Sequence, residues 1–366
     1  MSRYPTHLFS DDYQVARERF RSASKVAAAA LSEYVHPLPG PNGTVHSTDC
    51  AWFGPSNAKR VLVIISATHG AEGFAGAGPQ LDWMLNVGAY GLPAETAGLV
   101  IHGIASWGYA WMRRCTEEGV DLNRNFIEFG GPLPENPGYD ELAHLFVPTE
   151  IAGNALADAQ KQLDAWRDKY GEPAYLTARG AGQYRHAGGL FYGGTEPTYA
   201  RQLTERIIAD FSLAERRGVG VVDLHTGLGP YGYGELISGH DPSTPGVERN
   251  RRWYGPNVAE PKKGTSITVP LKGMSQEGWG RLIGDALTFV SVEFGTLPPA
   301  GMQRALAQDH WLHNRGSVDW NDAETQRIKT EMYEAYCPRH DDWREMVMAR
   351  CRQVTRQAIE GLQQSK

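Results

Sequence analysis

The sequence has 366 residues, of which 41% are hydrophobic and 21% charged, and its formal net charge is −6. These values are ordinary for a globular protein whose core needs no disulfide bonds. The negative charge argues against nucleic-acid binding, and no apolar run approaches the roughly 18 residues of a membrane span. Because the N-terminus is polar and the four cysteines are scattered, we expect reduced thiols and a cytoplasmic protein.

Apolar periodicity predicts the secondary structure in chain order. An amphipathic helix is expected over residues 12–34. Four short, continuous apolar runs then favour strands that are buried on both faces of a sheet, at 60–67, 98–106, 218–227 and 286–296. Helical stretches lie between these runs, at 154–170 and 197–215. Two more helices and no strand are expected in 320–366.

Strands that alternate with helices predict an α/β fold with a mixed, largely parallel central sheet and helices on both faces. Since no composition break marks a boundary, we expect a single catalytic domain over 1–366 with loop insertions. Residues 55–300 would form the core that carries the functional site. Long Gly- and Pro-rich loops predict an insertion at 127–195, and 320–366 would supply C-terminal helices.

Metal-ligand residue types follow two of the predicted strands. His69 and Glu72 form an H-x-x-E in "THGAEG", and His225 follows "VGVVDL". The H-x-x-E alone is a weak signal, because about one chance match is expected in a chain of this composition. Open α/β sheets build their sites at the C-terminal ends of strands, however, so these side chains should meet. Two histidines and a glutamate predict a catalytic zinc site with one open position for water.

A further carboxylate, Glu293, ends the fourth apolar run, "TFVSVE". A carboxylate on a buried strand is costly unless it has a partner or a chemical task. It could be paired with an arginine at the end of the sheet. Its place beside the predicted ligands favours instead a general base that activates water.

The polar segment "WMRRCTEEGVDLNRNF" holds three arginines and two asparagines, and its candidate functional residues are Arg113, Arg114, Asn123 and Arg124. A guanidinium can bind a substrate carboxylate in bidentate geometry, and a second one can stabilise a developing oxyanion. Taken alone, the segment is equally typical of a salt-bridged turn in which Asp121 holds Arg124.

The sequence resembles the zinc metallocarboxypeptidases of the carboxypeptidase A type in the order of four features, which are "THGAEG", "GVDLNRNF", His225 and Glu293. The likeness covers about residues 55–300 and is closest to an uncharacterised bacterial branch that also has "GLFYGG" and "DLHTGLGPYG". "DLNRNF" between the H-x-x-E and the distal histidine is its specific part. Two features depart from the family pattern. Glu72 and His225 lie unusually far apart, and the substrate-capping tyrosine of the family has no clear match.

The resemblance implies a role for each of these residues. It makes His69, Glu72 and His225 the ligands of one Zn²⁺ per chain, and it makes Glu293 the general base. It assigns Asn123 and Arg124 to the terminal carboxylate of the substrate, and either Arg113 or Arg114 to the oxyanion. Asp223 would support His225 from behind the metal.

Three functions remain open at this point. The first is a carboxypeptidase that cleaves the C-terminal bond of a small peptide, and the second is a zinc amidohydrolase that acts on N-acyl amino acids or other small amides. The third, a binding protein on an inactive peptidase fold, is disfavoured by the intact Glu293. No nucleic-acid or membrane partner is expected, and the oligomeric state, a homo-oligomer included, is left open.

Overall fold

One seven-stranded β-sheet organises the chain in the computed structural model, which describes residues 4–364. The strand order is β1-β2-β4-β3-β5-β7-β6. The strands are Ala30–Val35 (β1), Ser47–Phe53 (β2), Arg60–Ile65 (β3), Thr96–His102 (β4), Gly218–Tyr231 (β5), Gly234–Ile237 (β6) and Leu287–Gly295 (β7). The central strands β4, β3, β5 and β7 are parallel, whereas β1, β2 and β6 complete the sheet through antiparallel pairs. The predicted mixed, largely parallel sheet is therefore confirmed.

The α-helices of the described residues alternate with these strands and extend beyond them. They are Tyr13–Val26 (α1), Gly73–Asn86 (α2), Ser106–Ala110 (α3), Leu122–Asn125 (α4), Pro137–Phe146 (α5), Ala155–Tyr170 (α6), Glu172–Gly180 (α7), Tyr199–Asp210 (α8), Pro245–Tyr254 (α9), Ser275–Ile283 (α10), Pro299–Asn314 (α11), Ala323–Tyr336 (α12) and Asp341–Gln364 (α13). Within residues 4–364 no helix is both long enough and apolar enough to cross a membrane.

Helices pack on both faces of the sheet, as the apolar runs predict. On one face, side chains of α1, α2 and α13 share a core with Ile64 of β3 and Val222 of β5. On the other face, α8 and α10 pack against the neighbouring residues Val63 and Val221. Successive side chains of a strand point to opposite faces, so these unbroken apolar strands are buried on both.

The predicted N-terminal helix over 12–34 is wrong in its second half. Asp12 caps α1 by accepting a hydrogen bond from the Val15 amide, but the helix ends at Val26. Ala28 then adopts a left-handed conformation with φ of 54°, and the following residues form β1, which pairs with β2. No glycine, asparagine or proline marks this turn, so no local signal ends the helix. Its end is set instead by the pairing of the following residues with β2.

The segment 127–195 contains the predicted helix at 154–170 as α6, and it also contains α5 and α7, which its Gly- and Pro-rich sequence did not predict. Pro137 stands in the first turn of α5, where its missing N–H costs nothing, and Asn136 caps the helix. The expected helices of 320–366 are present as α12 and α13. The division of the chain into one domain, a core and an insertion stays a prediction.

Candidate metal centre

The predicted ligands and base meet on the C-terminal side of three adjacent parallel strands, where the run of apolar residues in each strand gives way to polar ones. His225 on β5 lies directly beside Glu293 on β7 in the register of the sheet. On the other side of β5, β3 ends at Ile65, and the chain continues through His69 to Glu72. Two of the strands thus carry His225 and Glu293 at the same level of the sheet, and the third leads into the H-x-x-E turn.

The Gly- and Ala-rich composition of this turn has a steric cause. Residues 70–72 form a single 3₁₀ turn, and a Cβ on Gly70 would lie 2.1 Å from the carbonyl carbon of Gly108. A Cβ on Gly76 would lie 2.7 Å from the Cβ of Ser66, so α2 packs closely against the chain that leaves β3. Ala67 has a φ of 58°, a strained value of the kind that occurs at functional sites.

His69, Glu72 and His225 form a cluster that fits one metal ion. One ligand atom from each side chain lies within 4.8 Å of the other two, and all three residues are buried. Nδ1 of His225 lies 3.0 Å from Oε2 of Glu72. Nδ1 of His69 is buried without a hydrogen-bond partner in the described part of the chain. A buried His₂Glu set with an unsatisfied ring nitrogen is the donor set of a metal site.

An aspartate lies near each histidine. Oδ2 of Asp223 lies 2.9 Å from Nε2 of His225, and Oδ1 of Asp121 lies 3.5 Å from Nδ1 of His69. Metal-binding histidines characteristically direct their second nitrogen at such a carboxylate, which fixes the ring. The supporting role expected of Asp223 therefore has the required contact, whereas Asp121 approaches Nδ1 of His69 without a hydrogen bond in the described part of the chain.

The two histidines differ in charge when no metal is present. Burial and the Arg114 guanidinium hold the pKa of His69 well below its usual range. Burial also opposes a charge on His225, but the carboxylates of Asp223 and Glu72 outweigh it and hold the pKa of His225 well above its usual range. His69 is therefore neutral, whereas His225 must lose a proton before it can bind a metal.

The two adjacent arginines point to different places. Arg114 donates to Oε1 of Glu72 at 2.8 Å and to Oδ2 of Asp121 at 3.1 Å, and its Nη2 lies 2.8 Å from Nε2 of His69. Arg113 is turned towards Asp309, with 3.4 Å between Nε and Oδ2, and it does not line the cavity at the metal cluster. Of the two residues predicted for the oxyanion, only Arg114 lies beside the cluster.

Glu293 is buried at the cavity wall, and its Oε1 accepts a hydrogen bond from the Leu228 amide at 3.2 Å. Burial raises the pKa of Glu293 to about 8, and the negative charge of Glu72 adds to the rise. A carboxylate whose pKa lies close to neutral pH can both take and return a proton. An arginine partner for Glu293 is absent from the ion pairs of residues 4–364.

Asn123 and Arg124 lie on the short helix α4 at the cavity wall. Asp121 caps this helix by accepting a hydrogen bond from the Asn123 amide at 2.9 Å. Arg124 donates to two backbone carbonyls, those of Asn123 at 2.9 Å and Gly180 at 2.6 Å. The salt-bridged turn that the sequence also allowed does not form in this way, because Asp121 pairs with Arg114 instead.

Three further cavity residues were missed by the sequence analysis. Arg179 comes from α7, Phe191 from the loop after it, and Tyr336 from the end of α12. Phe191 belongs to "GLFYGG", a motif that was noted without a role. Tyr336, whose phenol lies close to Arg114, is 43 positions beyond Glu293 and carries no local signal.

A cavity of about 280 Å³ opens at the metal cluster. Its polar wall includes His69, Arg114, Arg124, His225 and Glu293. The rest is largely apolar, with Leu176, Phe191, Ile267, Leu297 and Met302 among the lining residues. A concave, mostly apolar site with a few convergent polar groups is typical of small-molecule binding.

The sequence matches one family model over residues 9–350, described as a protein of unknown function, DUF2817. Among curated proteins no sequence matches.

Solved structures with a related arrangement include a candidate metallopeptidase from Shewanella amazonensis. It is 14% identical, with 82% of this chain and 90% of that chain covered and a TM-score of 0.43. A metallo-carboxypeptidase from Burkholderia cenocepacia is 11% identical. The match covers 88% of this chain and 67% of that chain, with a TM-score of 0.41. An aspartoacylase family protein from Mesorhizobium loti is 12% identical. The match covers 78% of this chain and 66% of that chain, with a TM-score of 0.36. Because identities and TM-scores are low, any functional conclusion depends on the side chains of the site.

Proposed function

We propose that this chain, which belongs to the DUF2817 family of proteins of unknown function, is a zinc-dependent hydrolase that removes the C-terminal residue of a small peptide. The observation that carries the proposal is the convergence of the His69–Glu72–His225 cluster and Glu293 on one cavity. Histidine nitrogens with a single carboxylate suit zinc better than magnesium or calcium, which prefer oxygen ligands.

The chemistry follows from the donor set. A zinc ion held by these three side chains would activate water for attack and polarise the carbonyl group of the scissile bond. Glu293 accepts the proton that the attacking water loses and returns it to the nitrogen of the leaving amine. Arg114 lies on the same cavity wall, where its guanidinium can stabilise the negative charge that develops on the carbonyl oxygen.

Asn123 and Arg124 are the residues that would bind the terminal carboxylate of the substrate. Both residues line the cavity, and a guanidinium recognises a carboxylate better than any other side chain does. Arg124 is held by the carbonyls of Asn123 and Gly180, so little conformational entropy is lost when it binds a ligand. This arrangement favours a substrate with a free carboxylate next to the scissile amide bond.

The second candidate is a zinc amidohydrolase that cleaves N-acyl amino acids. The cavity volume of about 280 Å³ favours it, because this lies just below the roughly 300 to 1,000 Å³ that is typical of small-molecule sites. The same metal, base and carboxylate-binding residues would serve this reaction.

A substrate panel with zinc-loaded protein tests both candidates. Blocked dipeptides with a free C-terminus represent the first, N-acetyl amino acids the second, and amidated peptides without a carboxylate are the control. Release of free C-terminal amino acids from the dipeptides supports the carboxypeptidase, and cleavage confined to the acyl amino acids supports the second candidate. Equal cleavage of the amidated peptides would contradict the carboxylate requirement, and no hydrolysis of any member would contradict the enzyme.

A further inference from the structure

Arg179 is a cation at the cavity wall that the reaction proposed above does not use. The titratable groups that most affect its pKa are the phenols of Tyr175, Tyr336 and Tyr139 and the guanidinium of Arg114, and none of them is a carboxylate. Burial lowers the pKa of Arg179, as expected for a guanidinium that has no carboxylate partner among residues 4–364. Arg114, by contrast, is neutralised by Glu72 and Asp121. An unpaired cation in a largely apolar cavity is costly unless a ligand supplies the anion.

The side chain of Arg179 is fixed in position. Its Nε donates to Oε1 of Gln303 at 2.9 Å, and Nε2 of Gln303 in turn donates to the Phe146 carbonyl at 3.0 Å. Among residues 4–364, Gln303 is the hydrogen-bond partner that the structure gives to this guanidinium. The two terminal nitrogens are left for a ligand, and they are the pair that grips a carboxylate in bidentate geometry.

Phe191 brings Arg179 together with the catalytic end of the cavity. The ring centroid of Phe191 lies 5.4 Å from the guanidinium carbon of Arg179, 5.6 Å from that of Arg124 and 5.4 Å from that of Arg114. Phe191 has a φ of 55°, an unusual conformation for a bulky residue. Its loop is tied to the metal centre, because the Asp121 amide donates to the Tyr192 carbonyl at 2.7 Å.

Arg124 and Arg179 have separate supports although they are close together. Arg124 donates to the carbonyl of Gly180, the residue that follows Arg179, and to that of Asn123 on α4. Arg179 is held instead by Gln303 on α11. Two independently anchored guanidiniums on one cavity wall indicate two anion positions.

We propose that Arg179 binds a second carboxylate of the substrate, on the side chain of the amino acid whose α-carboxylate Arg124 binds. The released residue is therefore acidic, of the aspartate or glutamate class. This inference rests on the proposed function and holds for a peptide and for an N-acyl amino acid alike. The apolar walls strengthen the selectivity, since a charge pair is stronger where water is excluded.

Calorimetric titration of zinc-loaded, full-length protein with the product amino acids tests the inference. The ligands are L-glutamate and L-aspartate, with L-glutamine and L-asparagine as neutral isosteres. Wild-type protein is expected to bind the better acid about 10- to 100-fold more tightly than its amide, as befits a charge-assisted pair. Arg179→Gln should reduce this ratio to below about 3-fold and leave binding of the amide unchanged.

Matched variants separate this role from a structural one. Arg185→Gln removes a neighbouring arginine that pairs with Glu135 and Asp140 away from the cavity, so its ratio should equal that of wild type. Arg179→Lys should keep part of the ratio, because it retains the charge but not the bidentate geometry. If Arg179→Gln does not fold, Gln303→Leu takes its place. This variant removes the hydrogen bond that fixes Arg179, so it should also reduce the ratio of acid to amide affinity.

Three results would overturn the inference. The acids and amides could bind equally to wild type, Arg179→Gln could weaken both equally, or the Lys and Leu variants could leave the ratio unchanged. Hydrolysis of benzoyl-glycyl-glutamine and benzoyl-glycyl-glutamate at equal kcat/KM would refute the second carboxylate and leave the proposed function standing. If neither compound is hydrolysed and none of the amino acids binds, both proposals fail.

Discussion

Oε2 of Glu72 and Nδ1 of His225 lie 3.0 Å apart although 153 positions separate the two residues. Without a metal, this contact is a hydrogen bond that holds a proton between a carboxylate and an imidazole. Both atoms would turn to the metal in the loaded protein. Metal binding and proton binding therefore compete for the same atoms.

Zinc affinity should consequently fall as the pH is lowered. The pKa of His225 is held well above its usual range, so the ring is protonated at and below neutral pH in the metal-free protein and must release a proton to bind zinc. With one proton displaced, we expect the apparent affinity to drop about tenfold per pH unit below that pKa. Competition with a chromophoric chelator between pH 6 and 8 measures how zinc affinity changes with pH. A zinc affinity that does not change over this interval would refute the competition between zinc and the proton on His225.

Glu293→Gln should abolish turnover and leave the metal in place. The amide keeps the size of the side chain but cannot accept the proton, so kcat is expected to fall by about 10²- to 10⁴-fold. Zinc content should equal that of wild type, because Glu293 is not part of the ligand cluster. Glu128→Gln is the matched control, since that side chain is 81% exposed and should not affect rate. A Glu293→Gln variant with full activity would exclude Glu293 as the base.

Asp121→Asn should weaken zinc binding without removing a ligand. Asp121 pairs with Arg114, which contacts both Glu72 and His69, so the neutral amide would position these two ligands less firmly. Loss of such a supporting carboxylate typically costs about 10- to 100-fold in metal affinity. Chelator competition on this variant and on Asp158→Asn, whose side chain is exposed, gives the comparison. Equal affinities would show that Asp121 does not support the ligand.

Gly70→Ala should destabilise the fold. The added methyl group would lie 2.1 to 2.5 Å from backbone atoms of Gly108, Tyr109 and Arg113, which cannot move aside as a flexible side chain could. We expect the free energy of unfolding to fall by about 3 kcal/mol in urea denaturation. Gly130→Ala is the control, because among the described residues only its chain neighbours lie within 4 Å of the added methyl group. If both variants lose the same stability, the turn is not sterically restricted.

The sheet was predictable because its central strands carry their own signal. β3, β5 and β7 are continuous apolar runs, and the polar residues after them indicate the functional edge. β1 was missed because residues 30–35 become a strand only through pairing with β2. The short strand β6 likewise forms by pairing with β7.

Some residues of the site could likewise be identified from local sequence motifs, whereas others depend on contacts between distant segments of the chain. His69, Glu72, Asn123 and Arg124 lie in short motifs with fixed spacing, so the sequence alone was enough to select them. Arg113 and Arg114 could not be distinguished, because only the position of Asp309 shows where Arg113 points. Arg179 reaches the cavity through the packing of α7 and α11, which no local pattern encodes.

Zinc content of the purified protein tests the central claim most directly. Inductively coupled plasma mass spectrometry after zinc loading and desalting should find about one zinc per chain in wild type. His69→Ala should retain almost none, whereas His186→Ala, in which the lost imidazole pairs with Asp140 outside the cluster, should match wild type. A wild-type protein that takes up no zinc, or a His69→Ala variant that keeps a full equivalent, would contradict the metal centre.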